Sequence, residues 1–151
     1  MENLNMRKYA AAAALLLMSC NQANEPPQIS IDGALARATL PGQMSSAAYF
    51  TITNKGGPDV LLSVSSPAGD ASLHSTSMSN GVMKMRSVSS LDVPANGKLE
   101  LKPGGLHVMV MGLKQPLATG SSFPLEVKFQ KSGEIPVEAA VKAAASDGDG
   151  M

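Results

Sequence analysis

From Ile29 to Val141 the chain is a succession of short runs in which apolar and polar residues alternate, each run closed by glycine, proline or asparagine. A period of two is the geometry of a pleated strand, whose successive side chains face opposite ways. No stretch before the tail keeps a helical period over three turns, so the pattern predicts an all-β domain. Expected strands run Ile29 to Ala38, Ala48 to Asn54, Val60 to Ser66, Ala71 to Thr76, Val82 to Val88, Lys98 to Leu101, His107 to Leu113, Phe123 to Gln130 and Glu134 to Val141. Turn chemistry falls between them at Pro41-Gly42, Gly56-Gly57-Pro58, Asn80-Gly81, Asn96-Gly97, Pro103-Gly104-Gly105 and Ser132-Gly133. The regular spacing predicts a Greek-key β-sandwich or barrel. With 151 residues, one domain with short appendages is expected.

Charge and aromatic content narrow the partners. Lysine plus arginine total 12 and aspartate plus glutamate total 12, so no net field draws in a polyanion. Aromatics make up 3% with no tryptophan, which leaves little for stacking against bases or sugars. Nucleic acid is therefore not expected as a partner. No Ser-His-Asp order with a nucleophile elbow and no paired-carboxylate pattern is present, and no enzymatic activity is expected.

The N-terminus carries an address. Arg7 and Lys8 precede an apolar run from Tyr9 to Met18, too short to span a bilayer but suited to the core of a secretory signal. The run ends Leu17-Met18-Ser19-Cys20, which resembles the lipobox of bacterial lipoproteins, with Cys20 the expected lipidation site. The expected organisation is a signal peptide over 1–19, a tether over 20–28 starting at lipidated Cys20, a folded domain over 29–142 and a disordered tail over 143–151. Asn21 stands where aspartate would suggest inner-membrane retention, so by resemblance to sorted lipoproteins the inner leaflet of the outer membrane is expected, with the domain facing the periplasm. The membrane is then met through the lipid anchor only. Cys20 is also the sole cysteine, so the mature domain has no second thiol for a disulfide and no thiolate of its own for a metal.

Methionine is the unusual component. Of ten, Met1, Met6, Met18 and Met151 lie in the signal or at the end, and the remaining six all fall between Met44 and Met111. The only two histidines, His74 and His107, sit in the same region. Strand alternation puts His107, Met109 and Met111 on one face of their run and Val108 and Val110 on the other, and puts Met83 and Met85 together opposite Val82 and Lys84. Neutral imidazole with thioether, without cysteine or carboxylate, suits Cu(I) far better than Mg(II), Ca(II) or structural Zn(II). A thioether needs no deprotonation and cannot be locked into a disulfide, so such a site works outside the cytosol.

Ten residues separate His74 from Met85, 21 separate Met85 from His107, and one separates His107 from Met109. This H-x10-M-x21-H-x-M pattern resembles that of the periplasmic copper chaperones called PCu(A)C. The resemblance extends over roughly Ile29 to Lys142, through Ala36-Arg37-Ala38, Ala48-Tyr49-Phe50-Thr51-Ile52-Thr53-Asn54, Gly81-Val82-Met83-Lys84-Met85-Arg86, Lys102-Pro103-Gly104-Gly105-Leu106-His107-Val108-Met109 and Gly112-Leu113-Lys114. It implies a cupredoxin-like Greek-key fold, one Cu(I) held by His74, Met85, His107 and Met109, and a monomer that delivers copper by ligand exchange to an acceptor such as a cytochrome c oxidase subunit with its binuclear copper centre. Leu35 stands where relatives often have tryptophan, which is expected to alter core packing. The tail lacks the histidine- and methionine-rich extension that gives some relatives a second copper, so a single site is expected.

Met83 and Met111 share the ligand faces and are auxiliary candidates, as is Met44, although methionine is commonly an adaptable gap filler. Met44 and Met78 read as loop residues. Lys84 and Arg86 read as a solvated strand face, Arg37 as structural, and Pro103-Gly104-Gly105 as the tight turn that presents His107. A blue-copper electron carrier would need a cysteine beside its histidines. The remaining alternatives are a metal-free β-sandwich lipoprotein acting as an interaction module, and a copper tolerance or storage protein.

Overall fold

The computed structural model describes residues 24–143, and among them ten β-strands and no α-helix. In chain order they are β1 (Ile29–Arg37), β2 (Ser46–Asn54), β3 (Asp59–Ser65), β4 (Asp70–Ser79), β5 (Val82–Ser87), β6 (Leu91–Val93), β7 (Gly97–Glu100), β8 (Leu106–Met111), β9 (Ser122–Phe129) and β10 (Gly133–Lys142). Hydrogen bonding orders them β5-β4-β8-β2-β1-β10-β9-β3-β6, with β7 beside the second half of β2. Only β1 and β10 run parallel. Gly33, at a φ of 64°, sits in the register shift of β1 between Asp32 and Leu35, a bulge that bends the strand where the two halves of the sheet meet. Cys20 and the signal segment lie outside the described residues, as does all but the first residue of the expected tail.

The alternation read from the sequence is the alternation of burial. In β9, Phe123, Leu125, Val127 and Phe129 are buried while Glu126 and Lys128 are exposed. They meet Ala48, Phe50 and Ile52 of β2, Leu73 of β4, Val108 and Val110 of β8 and Val137, Ala139 and Val141 of β10 in one core between the two halves of the sandwich. Burial of side chains of this size supplies roughly 1.5–3 kcal/mol each, and the sandwich is held chiefly by them.

Two polar groups tie down the end of the sandwich where β2 and β3 are joined. Asn54 is buried, and its amide donates to the carbonyls of Gly57 and Pro94 while its oxygen accepts from the N–H groups of Gln28 and Gly56. Pro26, within the expected tether, accepts from the N–H of Gly57. Asp59 is also buried and accepts from the N–H groups of Val60, Lys131 and Ser132 and from the Ser132 hydroxyl. Burial alone would raise its pKa, but those hydrogen bonds outweigh it and hold the carboxyl below its ordinary 3.8.

Four expectations need correction. β4 runs on to Ser79, so Met78 is a strand residue and not a loop residue; pairing with β5 carries the strand through a serine-rich stretch that has no burial signal of its own. β6 was not foreseen, because three residues are too few to display a period. β8 stops at Met111 instead of Leu113, since Gly112 takes a φ of 59° and breaks the ladder. Leu35 lies opposite Tyr49 on the outward face, not in the core, because its neighbour Ala36 takes the inward position opposite Ala48.

Candidate metal centre

The three strands β5, β4 and β8 form one edge of the sheet, and their register brings the sequence-predicted donors onto a single outward face. His74 is directly opposite His107, Met109 opposite Ser72, and Met85 opposite Thr76. Residues paired in this way share a face, as do positions two apart, so Met85, His74, His107 and Met109 make a diagonal line across three strands. Diagonal neighbours in a sheet are about 7–8 Å apart at the backbone, within reach of long side chains. The opposite face carries Leu73, Val108 and Val110 into the core.

The imidazoles lie side by side, with ring centroids 6.0 Å apart and planes 24° from parallel. His107 is buried and its Nδ1 is 3.1 Å from the carbonyl of Gly105. A carbonyl only accepts, so Nδ1 carries the proton and the lone pair of the neutral ring is at Nε2. Gly105 is held for this task by a turn: Pro103 and Gly104, the latter at a φ of 78°, occupy the corners of a type II turn closed by the Gly105 N–H to the Lys102 carbonyl at 3.1 Å. The same Gly105 carbonyl accepts from the Thr76 N–H at 3.1 Å, which locks the turn to β4. The turn read from Pro103-Gly104-Gly105 thus fixes the ring's proton as well as its position.

His74 is half-buried, and its Nε2 is 2.9 Å from the Ser72 hydroxyl. Its Nδ1 is shielded from solvent and has no hydrogen-bond partner among the described residues. An unpartnered buried nitrogen costs about 1–3 kcal/mol, which fits a lone pair kept for a ligand that is not hydrogen. Among the described residues no group of three or more histidine, cysteine, aspartate or glutamate side chains is placed to hold a metal. On the face that the imidazole pair shares lie the thioethers of Met85 and Met109 and the hydroxyls of Ser72, Thr76 and Ser87. Met109 is half-buried beside Ala47, whereas Met85 is 51% exposed on edge strand β5. Such a donor set suits a soft monovalent cation and offers no charge to neutralise a hard divalent one.

The auxiliary candidates are more dispersed. Met83 lies on the ligand face one step beyond Met85, Met111 lies at the far end of β8 opposite Asp70, and Met44 is in the β1–β2 loop, its carbonyl accepting from the Leu113 N–H. All three are exposed. Sequence reasoning missed Tyr49 and Ser72. Tyr49 is buried, its ring centroid 6.5 Å from that of His107, and the Arg37 guanidinium carbon lies over the tyrosine ring, 5.5 Å from its centroid. The signal was present: in β2 the alternation sends Tyr49 away from the core that takes Ala48 and Phe50, and a buried aromatic on the outward face needs a neighbour there.

Fold and site together define a cupredoxin-like β-sandwich with a histidine and methionine face at one sheet edge. The chain belongs to the LpqE-like family, a lipoprotein family by description, whose model matches residues 29–141. It is similar to Lxx21020 of Leifsonia xyli subsp. xyli (strain CTCB07), which carries the name of a lipoprotein, with 35% identity over 104 residues, 67% of this chain and 63% of that one. The chain thus spans less than two thirds of the length of that curated relative. Among solved structures it is similar to apo-DR1885 from Deinococcus radiodurans, at 32% identity and a TM-score of 0.61 over 95% of each chain. The Cu(I) form of DR1885 matches at 34% identity and a TM-score of 0.59 over 85% of each. A copper-bound PCuAC domain from PmoF2 shares the fold, with a TM-score of 0.65 over 77% of this chain and 93% of that domain at 24% identity. The expected family and fold are borne out.

Proposed function

We propose that this protein is a Cu(I) carrier in which His74, Met85, His107 and Met109 hold one cuprous ion at the sheet edge and give it up by ligand exchange. The observation that carries the reading is the adjacent imidazole pair, with one nitrogen proton fixed on Gly105, a second nitrogen buried without a partner, and thioethers on the same face. The Cu(I)-bound state of the similar DR1885 supports the choice of metal. Exchange proceeds from the open side: an acceptor's ligands replace exposed Met85 first and buried His107 last. No bond other than metal–ligand bonds is made or broken, so the task is carriage and not catalysis.

The further reading places the domain over 29–142 in the periplasm, tethered by a lipid on Cys20 after removal of 1–19, and gives the copper to the binuclear centre of cytochrome c oxidase. The lipoprotein description of the family supports the anchor. Titration of the mature domain with Cu(I) against a chromophoric chelator tests the central part. One equivalent is expected to bind, and His107→Ala and Met109→Ala are each expected to weaken its binding while leaving a residual, lower-affinity uptake. Unchanged uptake in both variants would refute it.

A further inference from the structure

The β4–β5 hairpin extends past β8, whose first residue, Leu106, pairs with Ser75, and past the Thr76 N–H bond to the Gly105 carbonyl, so that among the described residues the stretch from Ser77 to Lys84 has no further strand paired to either side. Its tip is a two-residue turn, Asn80 and Gly81 at φ of 51° and 75°, which sets the register with Met78 directly opposite Met83. The Val88 N–H to Leu73 carbonyl bond makes that pair hydrogen-bonded, and counting along the ladder makes 74/87, 76/85 and 78/83 the non-hydrogen-bonded pairs, in which side chains approach most closely. Met78 and Met83 are thus a close cross-strand pair, with Met85 the next residue on the same face. They are 71%, 64% and 51% exposed, Met78 at the exposed end of β4 and the other two on β5, whose six residues are all exposed. Three large apolar side chains on a protruding edge are a liability unless they serve a contact, and Lys84 and Arg86, which would blunt the edge, point to the other face.

We propose that Met78, Met83 and Met85 form a second, weaker site for a soft monovalent cation, Cu(I) or Ag(I), and that Met85, common to both donor sets, hands the ion to the imidazole pair. Three flexible thioethers on adjacent positions satisfy a three-coordinate soft ion without backbone movement. Two residues of strand advance about 6.6 Å, so the hairpin, Met85 and the imidazoles are evenly stepped along the face. The site itself stands on the thioethers; only the hand-over rests on the proposed function.

The test is titration of methionine-methyl-labelled protein with Ag(I), followed by NMR. The first equivalent is expected to shift the Met85 and Met109 methyls, and further Ag(I) to shift Met78 and Met83 and to shift Met85 a second time, as it passes from the imidazole centre to the hairpin ion. Met78→Leu with Met83→Leu, at exposed positions where the fold is indifferent, is expected to lose the second event, keep the first and slow Cu(I) uptake several-fold. Methyls of Met78 and Met83 that stay fixed in excess Ag(I), or a second event that survives in the double variant, would overturn the site. An unchanged uptake rate would overturn the hand-over. Shifts at Met78, Met83 and Met85 with none at Met109 would refute the imidazole centre while leaving the hairpin site standing.

Discussion

His74 and His107 face each other across β4 and β8, their rings 6.0 Å apart, and each is oriented by a different kind of partner: a serine hydroxyl for His74, a turn carbonyl for His107. The two rings are held side by side before any cation arrives, with the His107 lone pair at Nε2 and the His74 Nδ1 without a hydrogen-bond partner among the described residues.

The Ser72 hydroxyl lies on the surface and contributes little to folding, yet it holds the His74 ring by Nε2 and leaves Nδ1 without a hydrogen-bond partner among the described residues. Ser72→Ala is expected to weaken Cu(I) binding about ten-fold, the low end for loss of a group that orients a ligand, while leaving the urea midpoint unchanged. Competition with a Cu(I) chelator and urea denaturation on the same sample check this.

Asp59 acts at the other end of the sandwich. Its folded-state pKa is depressed, so its stabilisation is fully present above the unfolded value of 3.8 and is lost as pH falls below that value through the folded one. Asp59→Asn puts an amide donor where backbone N–H groups already donate, and is expected to cost about 1–3 kcal/mol at neutral pH and to flatten the acid limb of the stability profile. Urea midpoints of both proteins between neutral and acidic pH measure it.

Gly81 stands at a φ of 75° with open space where a Cβ would go, so substitution there meets backbone strain alone. Gly81→Ala is expected to cost ~1 kcal/mol, felt in the hairpin before the core. Amide exchange of β5 should speed up with that of β9 unchanged.

How legible these features were depended on whether burial or local turn chemistry wrote them. Phe123, Leu125, Val127 and Phe129 announced β9 because one face of the strand is core, and His107 and Met109 could be assigned a common face because Val108 and Val110 needed the other. Pro103-Gly104 announced a turn. The serine-rich half of β4 was illegible, since nothing buries it and its strand state comes from β5. The tautomer of His107 was illegible for another reason: it depends on a carbonyl that only the folded turn aims at the ring. Leu35 was misread because one position along a strand decides between core and outer face, and the bulge at Gly33 shifts that count.

The most direct test of the centre is X-ray absorption at the copper edge on the domain loaded with one equivalent of Cu(I). Both imidazole nitrogen and thioether sulfur are expected in the first shell, with the sulfur contribution reduced in Met109→Ala and the imidazole scattering reduced in His107→Ala. A first shell without sulfur, or one that neither substitution changes, would contradict the account.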